Sequence, residues 1–179
     1  MSGFAYRVRE GKAERLEIKQ ALACDAELVW VHLTTNNEHA VAWLIDEAKA
    51  PDYIVDSLTA TETRPRCDAL GEGAFLNLRG RSSEAMTSSD PLASVRIWAM
   101  AGRVISVTRR PLTAIDEVVK TIEGGKIRDP GDLIAEFATD PRRAADDEQF
   151  RAFELHGVGL PDRNDEPTSH HVYLSTSPR

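Results

Sequence analysis

The sequence predicts an α/β fold of the α+β kind, in which helices cover both faces of a sheet. Three patterns carry that expectation. Glu27 to Thr34, ELVWVHLT, is a nearly continuous apolar run, as in a strand buried on both faces. Two alternating segments double back at glycines, about Gly71-Glu72 and Ala101-Gly102, as hairpins do. PLTAIDEVVKTIEGG sets Ile115, Val118, Val119 and Ile122 on one helical face and closes with Gly124-Gly125.

The remaining elements follow in chain order. FAYRVRE, a turn at Gly11-Lys12 and AERLEI read as strand, tight turn, strand. After the apolar strand, Asn36 or Asn37 is placed to cap a helix, and Thr35 with Glu38 has capping-box spacing. Ala40, Val41, Leu44 and Ile45 form that helix's apolar stripe. Pro51 restarts the chain, and PDYIVDSLTA reads as a second, shorter helix.

Pro65 removes an amide donor and holds Arg64 extended at the start of the first central hairpin. A two-residue turn at Gly71-Glu72 sets Leu70 opposite Gly73, Ala69 opposite Ala74 and Cys67 opposite Leu76. Opposed side chains share a face. Cys67, Ala69, Ala74, Leu76 and Leu78 then lie on the core side. Arg64, Arg66, Asp68, Asn77 and Arg79 lie on a more polar side, with Leu70 and Phe75 near the turn. A slip of one residue would mix the two sets.

RSSEAMTSSD, 81–90, reads as a polar loop. The second hairpin joins Ser94–Met100 to Arg103–Arg109 and carries bulky apolar groups on both faces. Pro111 is expected to open the next helix, and Asp129 to cap a last one with Pro130 in its first turn. Residues 1–140 are expected to form one domain. Residues 141–179, broken by Pro141, Gly157, Gly159, Pro161 and Pro167, are expected to be a divergent, partly disordered segment.

Composition narrows the function classes. The chain has 179 residues, 41% hydrophobic and 28% charged, which suits one globular domain with a sizeable core. A net charge of −7 disfavours nucleic acid, whose binding rests on Lys and Arg at phosphates. It suits a well-solvated protein first, or one that attracts cations. Cys24 and Cys67 form no metal-ligand cluster and fit a reducing compartment. The N-terminus lacks an apolar core of the secretory kind. The longest apolar run, Ile97 to Val107, already contains Gly102 and Arg103, so no segment is expected to span a bilayer.

The chemistry-bearing residues are few. Arg64, Arg66 and Arg79 crowd one face of the hairpin, and like charges there call for compensation. Intramolecular ion pairing is the first reading. A bound anion, or a partner's carboxylates, is the second, since Arg suits bidentate contacts to carboxylate or phosphate. His32 sits in an apolar strand and reads as a satisfied core residue, and His170-His171 as an incidental pair. No GxSxG elbow, HExxH pair, GxGxxG or Walker loop occurs, so the chain does not read as an enzyme.

The order WVHL, AWL, PDYIVDSLTATETRPR, LGEGAFLNLRG, VRIWAMAGRVISVTRR and LTAIDEVVKTIEGG resembles the cytoplasmic N-terminal domain of CorA-type divalent-cation transporters, nearest the ZntB-like zinc branch. The resemblance covers roughly residues 4 to 138. It implies an α/β/α sandwich around a mixed, largely antiparallel sheet. It also implies a funnel-shaped homopentamer on the cytoplasmic side of a bacterial inner membrane, handling divalent cations such as Zn or Mg. The family's membrane helices and their GMN-type triplet are not in these residues, and no metal ligand carries over. The chain is therefore expected to be a soluble, cytoplasmic regulatory domain, unable to conduct ions by itself. The alternative is a stand-alone binding module using Arg64, Arg66 and Arg79.

Overall fold

The sheet, not the helices, organises the chain. In the computed structural model, residues 3–23, 25–35, 38–61, 64–84 and 91–138 are described. The elements are β1 (Gly3–Arg9), β2 (Lys12–Leu16), α1 (Ile18–Ala21), β3 (Leu28–Thr34), α2 (Glu38–Asp46), α3 (Asp52–Thr59), β4 (Arg66–Leu70), β5 (Gly73–Arg81), β6 (Leu92–Met100), β7 (Arg103–Thr108), α4 (Thr113–Glu123) and α5 (Pro130–Ala138). Seven strands pair in the order β2-β1-β3-β7-β6-β5-β4. Among the described residues only β3 and β7 run parallel, so the sheet is mixed and largely antiparallel, as expected.

Strand alternation divides the core in two. One set of side chains includes Trp30, Leu76, Leu78, Val95, Ile97 and Val104, and packs under Ile115, Val118 and Ile122 of α4 and Leu133 and Phe137 of α5. The opposite set includes Val29, Val31, Phe75, Trp98, Ile105 and Val107, and packs under Trp43 and Leu44 of α2 and Ile54, Val55 and Leu58 of α3. This is an α/β/α sandwich. Burying each large apolar side chain contributes roughly 1.5–3 kcal/mol, so the two layers supply most of the stability.

The first central hairpin has the expected register: Cys67 pairs with Leu76, Ala69 with Ala74 and Leu70 with Gly73. Gly71 takes φ +62°, which its turn requires and which other residues adopt at a cost. The side holding the arginines is nevertheless not a solvent side. Phe75 and Asn77 on it are both fully buried, because α2 and α3 cover that face as well.

Local signals shift several element ends. The first turn falls at Glu10-Gly11, both at positive φ, rather than at Gly11-Lys12. The short α1 was not legible in the periodicity; its Ile18 and Ala21 are buried. Strand β5 runs on to Arg81, and Ser82 bridges to Leu112, so the expected polar loop starts later. Pro111 stands before the cap rather than inside α4, and its carbonyl accepts from Ser82 Oγ at 3.1 Å. Asp129 caps α5 as expected, its Oδ1 accepting from the Asp132 amide at 2.9 Å. Asn36, Asn37 and the segment from 139 onward lie outside the described residues.

Candidate functional site

Two polar clusters lie on opposite faces of the sheet. On the α4/α5 side, β3 and β7 run parallel and bring His32 beside Ser106. Ser106 Oγ accepts from Trp30 Nε1 at 2.8 Å and stands 2.9 Å from His32 Nδ1. Thr108 Oγ1 lies 3.4 Å from His32 Nε2. Both ring nitrogens thus face a hydroxyl, and burial lowers the His32 pKa to about 4. The imidazole is a neutral, satisfied core group, as its sequence context predicts. Beside it, the Tyr6 hydroxyl donates to Glu123 Oε1 at 2.5 Å, and burial together with that carboxylate raises its pKa to about 12.

The arginines gather on the other side. Register puts Arg66 opposite Asn77, Asn77 opposite Arg96 and Arg96 opposite Val107, all on the α2/α3 face. Arg79, two residues beyond Asn77, and Arg109, two beyond Val107, extend the same face toward the sheet's end. Four neighbouring strands or strand ends therefore bring arginine to one end of one face.

Their surroundings differ. Arg66 stacks 5.0 Å from the Phe75 ring centroid, and its Nε lies 3.1 Å from Asp68 Oδ2. At Arg66 this is the intramolecular pairing the sequence reading put first. The Arg64 carbonyl accepts from Asn77 Nδ2 at 2.7 Å, while the Arg64 side chain projects from an exposed residue. Arg79 is exposed and makes a further contact within the chain. The Arg109 guanidinium donates to the Thr59 carbonyl at 2.7 Å, closing the C-terminal end of α3.

Arg96 is the residue sequence reasoning missed. It is 2% exposed, and burial followed by the Arg109 charge pulls its pKa below the ordinary value. The signal was present: counting back from the Ala101-Gly102 turn places Arg96 on the same face as Trp98. The Cys67 thiol, half-buried, is pushed up by burial and then by Asp68, away from thiolate reactivity. Among the described residues, no three His, Cys, Asp or Glu side chains converge as a metal site. No described helix is long and apolar enough to cross a membrane.

Comparison with known proteins places this architecture. Residues 25–140 match the family described as CorA-like Mg2+ transporter protein. The zinc transport protein ZntB of Pectobacterium atrosepticum is 34% identical over 110 residues, covering 61% of this chain and 34% of that protein. The chain thus spans about a third of the length of this curated relative. The full-length CmaX protein superposes with a TM-score of 0.67 at 30% identity, over 77% of this chain and 43% of that one. The ZntB cytoplasmic domain from Vibrio parahaemolyticus gives 0.64 at 22% identity, over 77% and 57%, a likeness of fold. CorA from Methanocaldococcus jannaschii gives 0.61 at 12%, over 77% and 43%, again of fold. Sheet order, two-sided helical cover and the matched residues agree: the chain belongs to the CorA-like Mg2+ transporter protein family.

Proposed function

We propose that this chain is the cytoplasmic regulatory domain of a ZntB-like divalent-cation transporter. The observation that carries the reading is the 34% identity to a zinc transport protein across 110 residues. The fold adds support, because it is shared with a ZntB cytoplasmic domain. In this reading the domain self-associates into a pentameric funnel, and conduction falls to membrane helices outside these residues.

The −7 net charge fits the task. A vestibule of one sign concentrates counter-ions, here divalent cations, before they reach a pore. Sensing needs more than attraction. The cation must bind one packing of the subunits more tightly than another, or it shifts nothing. The subunit interfaces are the natural place for such ligands, since each subunit would bring only part of a coordination shell.

Size-exclusion chromatography with light scattering tests this, with and without Zn2+ or Mg2+. The expected result is a multiple of the 19.8 kDa chain mass whose population changes with the cation. A monomer at high concentration, indifferent to both metals, would contradict it.

A further inference from the structure

We propose that the outer edge of β4 is a self-association surface, on which a second copy of this chain pairs its own β4 antiparallel about Cys67. The inference goes beyond the transporter reading and does not rest on it. Such a contact is closed by two chains, so it cannot by itself build a five-fold ring.

Register decides which backbone groups of β4 are spent. Among the described residues, β4 and β2 are the two edges of the sheet. Leu70 and Gly73 close a two-residue turn, so they exchange hydrogen bonds, as do Asp68 with Phe75 and Arg66 with Asn77. Cys67 and Ala69 fall between these pairs and turn their N–H and C=O groups outward. An outward row of this kind is a template for another strand. The other edge is better defended. Lys12, Glu14 and Arg15 charge β2 along its length, Glu14 is held 2.6 Å from Arg7 Nη2, and α4 packs against the strand. Strand β4 packs chiefly on β5.

Charge fixes the register of the contact. A two-fold axis normal to the sheet keeps each face on its own side, so opposed residues must share a face. Centred on Cys67, the axis sets Arg66 against Asp68 of the partner subunit, and Asp68 against the partner's Arg66. Within one chain Arg66 Nε already lies 3.1 Å from Asp68 Oδ2, and the two side chains remain 54% and 50% exposed. The guanidinium keeps further donors and the carboxylate further acceptors, so pairing makes a ring of four charges that alternate in sign. Exposed ion pairs are weak singly and count for more as a network. Centred on Asp68 instead, the axis would set two carboxylates face to face and leave Arg66 against an apolar Leu70, which like-charge repulsion disfavours. On the opposite face Cys67 meets Cys67 of the partner subunit, with Ala69 beside it, so small side chains leave the approach open. The Cα atoms of such a hydrogen-bonded pair stand about 5.5 Å apart, a separation that a disulfide can span.

Sedimentation of the whole chain without added metal tests the contact apart from any metal-driven assembly. A reversible dimer with a Kd on the order of 100 μM is expected, since an edge contact is small. Arg66→Asp and Asp68→Arg each set like charges opposite one another and should weaken it about tenfold or more. Mixed in equal amounts, the two variants carry complementary edges and should associate as the wild type does. Wild-type association in either variant alone, or a mixture no stronger than its parts, overturns the proposal. The register has its own readout, which needs no charge variant. Diamide takes up the two protons and two electrons that a pair of thiols releases, and should link wild-type chains through Cys67 into a covalent dimer. The reaction is run at alkaline pH, because burial pushes the Cys67 thiol up. Cys67→Ser should abolish the link. A wild-type chain that forms no Cys67-linked dimer, or a link formed equally well by Asp68→Arg, overturns pairing about Cys67.

Discussion

The two faces of the sheet bury similar apolar cores but treat their polar atoms differently. Under α4 and α5, Trp30, Ser106, His32 and Thr108 satisfy one another. Under α2 and α3, the buried Trp43 Nε1, Trp98 Nε1 and Asn77 Oδ1 find no hydrogen-bond partner among the described residues. A buried unmet polar group costs about 1–3 kcal/mol, and native cores carry few. The first face is a finished interior. The second retains unspent polarity next to its arginines.

The largest expected effect is on the finished face. Phe137 packs edge-on to Trp30 at 5.8 Å, and both are wholly buried. Phe137→Ala should cost about 3–5 kcal/mol in urea unfolding. A loss under 1 kcal/mol would mean that α5 is not part of the cooperative unit.

Acid should act on the same face. Burial lowers the His32 pKa from the ordinary 6.5 to about 4. The unfolded chain takes up this proton near pH 6.5, and the folded chain not until near pH 4. His32 therefore makes stability fall as pH drops through that window, and the fall levels off below it. The full amplitude is on the order of 3 kcal/mol. In His32→Gln this component of the pH slope should vanish, whatever the variant's absolute stability; an unchanged slope would remove His32 from the account.

Smaller effects sharpen the contrast. Tyr6→Phe deletes the bond to Glu123 and should cost about 1.5–3 kcal/mol, the range for hydrogen bonds to charged groups. Asp129→Ala should cost about 0.5–2 kcal/mol through the lost α5 cap. Thermal or urea unfolding reads both.

The fold was legible where a pattern had one physical meaning. ELVWVHLT reads as a doubly buried strand because few other structures hide every residue of such a run. The register from Cys67 to Leu78 was readable because only one pairing separates the aliphatic set from the arginines. The α1 helix escaped notice, since four residues make one turn and show no period. The meaning of the arginine face was only half legible. Alternation located Arg64, Arg66 and Arg79, but Arg96 lies two strands from Arg66, and its burial depends on helices that no local pattern ties to that strand. The parallel β3–β7 pairing, which brings His32 to Ser106, is a contact across more than seventy residues, beyond any short-range signal.

Unfolding Trp30→Phe and Trp98→Phe side by side asks the central question most simply. Each swap removes an indole N–H and a similar volume, so the packing losses largely cancel in the difference. Trp30 Nε1 donates to Ser106, whereas Trp98 Nε1 has no acceptor among the described residues. The finished-face account predicts that Trp30→Phe is the more destabilising by about 1–3 kcal/mol. Equal losses, or a larger one for Trp98, would show that the two faces are built alike.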